Sequence, residues 1–534
     1  MSKNTDNAAY YFVERHAAGT LASKPAYIEI GEYGRTLSYA ELGEQSGRFG
    51  AFFERHDLKR EDRVAMLVLD QIEFPIIFWG CIKSGLIPVP LNTLLSSEVY
   101  GAILSDCRPR ALFVSHEMLP MVKPIIEKIW DLKAVFVIGD GKASSDSSFF
   151  GKLLEKNDTK SLPYLTLAER LHDCEEREAI ELSPDEVAFW LYSSGTTGKP
   201  KGVRHVHGSL IATADTYGRQ ILEIREDDIV YSVAKLFFAY GLGNAMTFPL
   251  SVGATTILSP GRPSPDSVFE ILHRHKPSIF CGVPTLYAAM LAAHEAEPKG
   301  KFENLRLCIS AGEALPEDIG MRWQDAFNME VLDGVGSTEM LHIFLSNAAG
   351  DVKYGTSGKA VPGYELRLVD ENNNDAALGE IGEMLVKGAS GADNYWNQRD
   401  KSRSTFEGIW TRTGDKYEQR PDGRYLYCGR TDDMFKVGGI WVSPFEVEQA
   451  LISHPSVLEA AVIAASDDEG LEKPKAFVIL MPNASQDGLA GELKKHVQEK
   501  IGKWKYPRWI EFLEDLPKTA TGKIKRFALR DLKR

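Results

Sequence analysis

Short apolar runs and amphipathic stretches alternate along most of the chain. Residues 63–70 (RVAMLVLD) predict a buried strand, residues 74–84 a helix, and residues 86–91 a second strand. This order is typical of a βαβ unit, in which the two strands run parallel. Further strands are predicted at residues 110–115, 134–138 and 229–234, and a further helix at residues 316–327. The pattern therefore predicts a layered α/β fold.

The periodicity changes after this layered region. Residues 363–387 alternate apolar and polar positions around the turn residues 372–375, which predicts an antiparallel hairpin in a small barrel or sheet. Further along, Ser443 and Glu446 have the spacing of a capping box, with Pro444 at the first helical position. Beyond this helix, strands are predicted at residues 457–465, 476–480 and 510–513, and a helix at residues 490–501. These elements predict a small α+β domain.

Taken together, the elements predict an α/β protein of two domains. We expect residues 1–431 to form a large domain of layered α/β subdomains with a small β-barrel, and residues 432–534 to form the small α+β domain, hinged at residues 430–433. A chain of 534 residues is longer than one hydrophobic core usually supports, which favours the same division.

Composition and charge argue against several classes of function. The chain carries 62 Lys and Arg against 75 Asp and Glu, a net charge of −13, without a basic run that would suit nucleic acid. Six cysteines lack paired spacing, which predicts a reducing cytoplasm and no structural metal. The first residues lack the apolar core of a signal peptide. The longest apolar stretch, residues 74–91, contains Lys83, Gly85 and Pro88, so we expect no membrane span.

Small hydroxyl residues, glycines and lysines are concentrated at residues 192–203 (YSSGTTGKPKGV). Glycine lets the backbone approach an oxyanion, hydroxyl and N–H groups donate hydrogen bonds to it, and lysine supplies positive charge. The run is not a Walker A loop, because Pro200 follows Lys199 where that loop has Ser or Thr. We therefore predict a polyphosphate-binding segment. Its candidate residues are Ser193, Ser194, Gly195, Thr196, Thr197, Gly198, Lys199 and Lys201.

Five motifs occur in the order seen in acyl-adenylate-forming (ANL) enzymes, which the chain resembles. They are YSSGTTGKPKGV, GVGSTEM at residues 334–340, RTGD at residues 412–415, GRTDDMFKVGG at residues 429–439 and PKTATGKIKR at residues 517–526. Within that superfamily, residues 235–245, 310–316 and 337–347 look like the benzoate-CoA ligase branch. The resemblance implies that the small carboxyl-terminal domain is mobile.

The resemblance implies a reaction in which a carboxylate attacks the α-phosphate of ATP, giving acyl-AMP and pyrophosphate. Two anions meet in this step, so the site must supply cations. In the family these are Mg²⁺, held near the residue that matches Glu339, and an ammonium that matches Lys523 and bridges the carboxylate and the α-phosphate. Thr338, together with Ser337, would orient oxygens of the phosphate or the substrate.

Nucleotide recognition is likewise implied by the resemblance. Asp415 would accept hydrogen bonds from the two ribose hydroxyls, and Arg430 would donate to the same sugar. Many relatives have an aromatic residue just before the glycine of the GSTE loop, at the position that Val335 occupies here. Adenine stacking on that side is therefore expected to be weaker, or to come from another residue. The residues that would frame adenine are Gly312, Glu313, Ala314, Asp333 and Gly334.

The expected acyl substrate is an aromatic acid. Aromatic side chains beside small residues at positions 237–241 fit a flat apolar slot, although such clusters are also common in ordinary cores. His342 would face the acid's carboxylate, or be a plain buried histidine. The candidate lining residues are Phe238, Ala239, Tyr240, Ala311, Gly336, His342 and Ile343.

In a second step the thiol of CoA would attack the activated acyl carbon. In the family the small domain swings about the residue that matches Asp432, which withdraws Lys523 and turns the face around Lys436, Gly438 and Gly439 towards pantetheine. The resemblance therefore implies ATP, Mg²⁺ and coenzyme A.

The sequence predicts an AMP-forming acid-thiol ligase of the benzoate-CoA ligase type, acting in the degradation of aromatic compounds. Two alternatives stay open at this point: an adenylation enzyme that loads another carboxylic acid onto a carrier-protein phosphopantetheine, and a non-catalytic acyl or nucleotide sensor. The sequence does not determine the preferred acid, which could be benzoate, a substituted benzoate or an alicyclic carboxylate. It also leaves the oligomeric state open, a homodimer included.

Overall fold

The computed structural model describes residues 6–31, 34–139, 171–194, 200–437, 440–467, 471–482, 484–518 and 524–531. Strands and helices alternate through most of these residues, as the apolar pattern predicts. The sheets are parallel, mixed and antiparallel in different parts of the chain, which gives a layered α/β architecture.

The largest sheet has nine strands, and its central pairs are parallel while both edges pair antiparallel. In spatial order the strands are Lys359–Ala360, Ile343–Ser346, Val331–Gly336, Leu307–Ala311, Ile279–Gly282, Ile229–Ser232, Thr255–Leu258, Pro25–Glu29 and Arg35–Ser38. Ligands of open α/β sheets bind beyond the carboxyl ends of parallel strands. The loops that follow Ala311 and Gly336 are therefore where this sheet is expected to bind a ligand.

A four-stranded parallel sheet contains the predicted βαβ unit. The strands Arg63–Leu67 and Ile87–Pro90 pair in parallel, and the helix Glu73–Lys83 connects them, so this prediction is confirmed. Every residue of the helix from Phe74 to Lys83 is buried, which explains why its sequence is apolar on all sides. The spatial order of the sheet is Ile87–Pro90, Arg63–Leu67, Ala111–Ser115 and Ala134–Ile138.

A three-stranded antiparallel sheet carries the two ends of the predicted phosphate-binding segment. Val187–Ser194 pairs with Pro200–Val206, which pairs in turn with the short strand Asn394–Tyr395. Tyr395 lies opposite Val203 in this sheet. The pairing therefore brings Tyr395, which comes much later in the chain, beside the predicted phosphate-binding segment.

The predicted hairpin belongs to a five-stranded antiparallel sheet. Glu365–Val369 pairs with Ile381–Lys387, with Glu365 opposite Lys387, so the hairpin prediction is confirmed. Where a small barrel is expected, the described strands form this open sheet, because no pairing joins its edge strands; the strands are Glu365–Val369, Ile381–Lys387, Phe406–Glu407, Trp410–Gln419 and Tyr425–Arg430.

The described residues from 435 onwards form an α+β unit with its own apolar core. Ser443 caps a helix by accepting a hydrogen bond from the Glu446 N–H at 3.1 Å, while the Glu446 carboxylate binds Lys505. The strands here are Phe435–Val437, Ile440–Val442, Val457–Ser466, Glu472–Leu480 and Trp509–Phe512, and the helices are Pro444–Ile452, Leu489–Ile501 and Arg526–Asp531.

The remaining helices cover the sheets of the larger part of the chain. They are Tyr10–Glu14, Arg15–Ala17, Tyr39–Arg55, Ser97–Cys107, His116–Met118, Leu119–Ile126, His207–Thr213, Ala214–Ile221, Ala239–Leu242, Gly243–Thr247, Phe248–Val252, Pro265–His275, Pro284–Ala296, Glu317–Phe327 and Arg399–Thr405. Within the described ranges, none of the helices combines the length and the apolar character that a membrane crossing requires.

Candidate active site

Two neighbouring parallel strands bring the segments predicted to frame adenine to one edge of the sheet. Ala311, the last residue of Leu307–Ala311, lies opposite Gly334 on Val331–Gly336. Beyond Ala311 the chain turns at Gly312, whose φ of +97° is a conformation that side-chain-bearing residues rarely adopt. The glycine therefore allows the loop to fold over the sheet edge.

Asp333 is buried beside this edge. The backbone N–H of Leu315 donates to its Oδ1 atom at 3.2 Å, which fastens the loop after one strand to the next strand. Burial raises the pKa of the Asp333 carboxyl to about 8. At neutral pH the carboxyl is therefore mainly protonated and can both donate and accept hydrogen bonds, as a neutral heterocycle requires.

Glu339, Lys201 and Tyr395 form a partly buried cluster next to the glycine-lysine segment. The Tyr395 hydroxyl donates to Glu339 Oε1 at 2.7 Å, and the Lys201 Nζ atom lies 3.6 Å from the same oxygen. The Lys201 and Glu339 side chains are only 14% and 15% exposed. Burial, and then the nearby Glu339, raise the pKa of Tyr395, so the phenol stays protonated. The cluster holds one cation and one anion where ATP phosphates and a metal are expected.

The loop that carries Thr338 and Glu339 is fixed from several sides. His205 Nε2 lies 2.8 Å from the Thr338 carbonyl oxygen, and because a carbonyl only accepts, Nε2 carries the proton. Burial lowers the pKa of His205 to about 4, so the ring is neutral, and it stacks on Phe189 with 5.1 Å between ring centroids. The N–H of Ala392 donates to the Glu339 carbonyl oxygen at 2.8 Å. The predicted catalytic loop is therefore held rigidly.

The predicted ribose-binding pair is in direct contact. Asp415 and Arg430 lie opposite each other on paired strands, with 3.0 Å between Arg430 Nη1 and Asp415 Oδ1. Arg430 also donates to the Thr413 carbonyl oxygen at 3.2 Å. Gly414, which precedes Asp415 in the chain, leaves room for the guanidinium, because a Cβ at that position would lie 2.9 Å from Arg430 Nη2. The Asp415 carboxylate and the Arg430 guanidinium are therefore close enough to bind the same diol.

The predicted acid pocket is organised around His342. Its Nε2 atom lies 3.3 Å from the Tyr240 carbonyl oxygen, and its ring packs edge-on against Phe248 with 4.5 Å between centroids. Burial lowers the pKa of His342 to about 3, so the ring is neutral. Gly243 packs directly against it, because a Cβ there would lie 2.3 Å from His342 Cδ2. His342 is thus a tightly packed, neutral residue within the group predicted to line the acid pocket.

The other predicted lining residues lie around the same strands and helix. The Tyr240 hydroxyl lies 3.1 and 3.3 Å from the carbonyl oxygens of Gly282 and Ile309 and shares its single hydrogen between them, which fixes the helix Ala239–Leu242 over the sheet. Gly336 pairs with Ile343 across the neighbouring antiparallel strands. Phe238 precedes the helix and contacts Phe237, with 4.3 Å between ring centroids. Ala311 ends its strand beside this group, as described above.

Near the predicted hinge, Asp432 is exposed and Asp433 binds two arginines. The backbone N–H of Asp433 donates to the Arg430 carbonyl oxygen at 3.1 Å, so the turn starts at a residue predicted to bind ribose.

Several predicted site residues lie outside the described residues: Gly195, Thr196, Thr197, Gly198, Lys199, Gly438, Gly439 and Lys523. Ser193, at the start of the phosphate-binding segment, lies opposite Lys201 in the antiparallel pairing. Its Oγ atom is buried without a hydrogen-bond partner among the described residues. A buried hydroxyl of this kind is available to a ligand. Ser194 and Lys436 lie in strands.

Residues 13–396 match the family model described as AMP-binding enzyme, and residues 446–523 match that of the AMP-binding enzyme C-terminal domain. The chain belongs to the AMP-binding enzyme family. The predicted resemblance to acyl-adenylate-forming enzymes is confirmed by this match.

Curated relatives of this AMP-binding enzyme include two that are similar over almost the whole chain. A 4-hydroxybenzoate--CoA/benzoate--CoA ligase of Rhodopseudomonas palustris is 50% identical over 98% of this chain and 94% of its own length. A benzoate--CoA ligase of Thauera aromatica is 50% identical over 98% of this chain and 95% of its own length.

Two solved structures of CoA ligases are also similar to this chain over almost its whole length. A benzoate CoA ligase from Burkholderia xenovorans LB400 aligns with a TM-score of 0.86 at 44% identity, covering 98% of this chain and 99% of that one. An anthranilate CoA ligase in complex with anthranoyl-AMP aligns with a TM-score of 0.90 at 39% identity, covering 98% of this chain and 97% of that one. The predicted α/β fold class is confirmed.

Sequence reasoning missed several residues of this AMP-binding enzyme's site. Tyr395 and His205 contact the Glu339 loop, and Phe248 and Tyr217 pack on His342. Each lies in an ordinary-looking strand or helix pattern. The available signal for His205 was the motif itself, because it lies four positions after Lys201.

Proposed function

We propose that this AMP-binding enzyme is an ATP-dependent aryl-CoA ligase that converts benzoate or a substituted benzoate, ATP and CoA into aroyl-CoA, AMP and diphosphate. The predicted reaction class is confirmed by the relatives at 50% identity, whose names state the same ligation. The observation in the structure that supports it most strongly is the partly buried pair of Lys201 and Glu339, the latter on the loop that leads to the neutral, buried His342. Polyphosphate and an aromatic acid can meet between the two.

Glu339 is the proposed Mg²⁺ ligand. In the described part of the chain no three His, Cys, Asp or Glu side chains cluster as a metal site. Mg²⁺ that binds through substrate phosphates needs only one or two protein carboxylates and keeps several waters. A single partly buried carboxylate next to the phosphate-binding segment therefore fits. When bound, Mg²⁺ would neutralise negative charge on the phosphates.

Adenylation requires that a carboxylate oxygen attack the α-phosphorus while the bond to the bridging oxygen of diphosphate breaks. We propose that Lys523 lies between the two anions in this step and offsets their repulsion. Lys201, Ser193 and the intervening glycine-rich residues would hold the phosphates, and Asp415 with Arg430 would hold the ribose. Thr338 would orient the oxygens at the reacting phosphorus.

The acid pocket suits an uncharged ring. Neutral His342 and the carbonyl-bound Tyr240 present aromatic faces and no net charge. The carboxylate of the acid would point out of this pocket towards the ATP site, because burying it beside the ring would leave a charge without a counter-ion. Benzoate and substituted benzoates are the proposed substrates.

We further propose that residues 432–534 rotate about Asp432 between the two half-reactions. In the second step the CoA sulfur attacks the acyl carbon, AMP leaves, and the thiol proton is released. Asp432 is exposed, which suits a hinge residue whose backbone dihedrals change. Lys436, Gly438 and Gly439 would then line the approach of pantetheine. The six cysteines are buried thiols, which agrees with the reducing cytoplasm proposed for this enzyme.

The test is a pyrophosphate-release screen over benzoate, hydroxy-, amino- and halobenzoates and cyclohexane carboxylate, with and without CoA. We expect aroyl-CoA to form with free CoA, and pyrophosphate release to be fastest with aromatic acids. Acylation of a carrier-protein phosphopantetheine but not of free CoA would contradict the proposal, as would ATP binding without turnover of any acid.

A further inference from the structure

Tyr395 contacts both charged side chains of the proposed phosphate site. Its hydroxyl oxygen lies 2.7 Å from Glu339 Oε1 and 3.4 Å from Lys201 Nζ. Its ring also lies beneath the ammonium, with 4.5 Å from Lys201 Nζ to the ring centroid. One side chain therefore contacts both the proposed metal ligand and the phosphate-binding lysine.

The directions of these hydrogen bonds follow from the donors available. A phenol has one hydrogen, and a carboxylate can only accept, so Tyr395 donates to Glu339. The phenol oxygen then accepts from Lys201, whose ammonium has only donors. The direct distance of 3.6 Å between Lys201 Nζ and Glu339 Oε1 is longer than a normal N–H···O hydrogen bond. The short hydrogen bond of the cluster is therefore the one from Tyr395 to Glu339, and Lys201 contacts both residues at longer range.

The backbone holds Tyr395 in this position from two sides. Tyr395 pairs with Val203 on the strand that carries Lys201. Shortly before it in the chain, the N–H of Ala392 donates to the Glu339 carbonyl oxygen at 2.8 Å. The tyrosine is therefore built into the same frame as both residues it contacts.

We propose that Tyr395 is a positioning residue that holds Glu339 ready for Mg²⁺–ATP. Its donated hydrogen bond fixes the Glu339 carboxylate in one orientation. Without the hydroxyl, the carboxylate loses this anchor and must be re-oriented before it binds a metal. The inference rests on the proposed function, since it assigns Tyr395 a part in binding the nucleotide.

The test is the Tyr395→Phe variant, which keeps the ring on Lys201 and on Phe406 and removes only the hydroxyl. ATP binding is measured by calorimetry without acid or CoA, once with Mg²⁺ and once with EDTA. With Mg²⁺ we expect Kd for ATP to rise roughly tenfold, because the variant loses about one hydrogen bond to a charged group. With EDTA we expect Kd to change little. Equal weakening under both conditions would overturn the proposal, as would unchanged binding with Mg²⁺.

Two further variants separate positioning from stability. Tyr100→Phe removes another buried hydroxyl, which donates to the Asn92 carbonyl oxygen at 2.8 Å, and should leave ATP binding unchanged. In a Glu339→Gln background, Tyr395→Phe should have little further effect, because the two residues act through one contact. An undiminished effect there would contradict the proposal. If the wild-type enzyme itself bound no ATP, the proposed function would fail instead.

Discussion

Asp433 and Arg526 form an ion pair, with 3.6 Å between Asp433 Oδ2 and Arg526 Nη1. Asp433 directly follows the proposed hinge residue Asp432, and Arg526 lies three positions after Lys523. Arg530 binds the same carboxylate at 2.8 Å. The pair therefore ties the chain segment just after the proposed catalytic lysine to the hinge turn, and both ends should move together.

Asp433→Asn should slow adenylation more than thioester formation, because it loosens the link between the hinge turn and the Lys523 segment. We expect the rate of pyrophosphate exchange to fall about two- to fivefold, because the 3.6 Å contact with Arg526 is a partly buried ion pair and not a close hydrogen bond. Transfer of the aroyl group from supplied aroyl-AMP to CoA should change little. Arg530→Gln removes only the more exposed partner and serves as the control, with a smaller loss expected. Equal losses in both half-reactions would argue against the link.

Asp432→Pro and Lys523→Ala should have opposite effects on the two half-reactions. Proline restricts φ at the hinge, so we expect adenylation to continue while thioester formation is blocked. Removing the ammonium should stop adenylation but leave transfer from supplied aroyl-AMP largely intact. Single-turnover measurements of each half-reaction check this. If both variants lost both half-reactions equally, a rotation between two states would be the wrong description.

The sequence predicted local elements well because their signals are local. The helix Glu317–Phe327 and the strand Ala134–Ile138 lie within one residue of the expected bounds, since apolar spacing alone specifies them. Asp415 and Arg430 were predicted from motifs, and their contact follows from strand pairing. Tyr395 could not be predicted, because its place beside Glu339 depends on a pairing between strands far apart in the chain.

His205 should make stability depend on pH under mildly acidic conditions. Its pKa is about 4 in the fold and about 6.5 when unfolded, so the unfolded chain binds the proton first. The contribution of neutral His205 is complete above about pH 6.5 and is lost as the pH falls towards 4. His205→Gln keeps a donor for the Thr338 carbonyl oxygen but cannot titrate, so its melting temperature should fall less between pH 7 and pH 5. An identical pH dependence in wild type and variant would contradict this.

His205→Ala supplies the matched comparison at neutral pH. It removes the donor and leaves the Thr338 carbonyl oxygen without this partner, beside a catalytic loop. We expect pyrophosphate exchange to fall roughly tenfold in His205→Ala and far less in His205→Gln. Similar activity in the two variants would mean that the hydrogen bond does not position the loop.

Asp333 should make the folded protein less stable as the pH rises. Its pKa rises from 3.8 to about 8 on folding, so the folded protein holds a proton that the unfolded chain releases. Stability contributed by the protonated carboxyl is therefore complete below about pH 4 and is lost as the pH rises towards 8. Asp333→Asn keeps the acceptor for the Leu315 N–H and removes the titration, so the variant should melt at a higher temperature than wild type at pH 9. A lower melting temperature at pH 9 would mean that the ionised carboxylate is stabilised in the fold.

Gly243→Ala should damage the acid pocket by overpacking it. The new methyl group would lie 2.3 Å from His342 Cδ2 and 2.9 Å from Phe248 Cζ, and the buried rings have little room to move. We expect a loss of about 1–3 kcal/mol in the free energy of unfolding. Displacing His342 inward should also raise KM for benzoate, and more so for ring-substituted benzoates, while KM for ATP changes little. Gly261→Ala is the control, because a methyl group added at that position would meet nothing within 4 Å, and its stability should be close to wild type. An unchanged KM for all acids in Gly243→Ala would show that His342 does not bound the pocket.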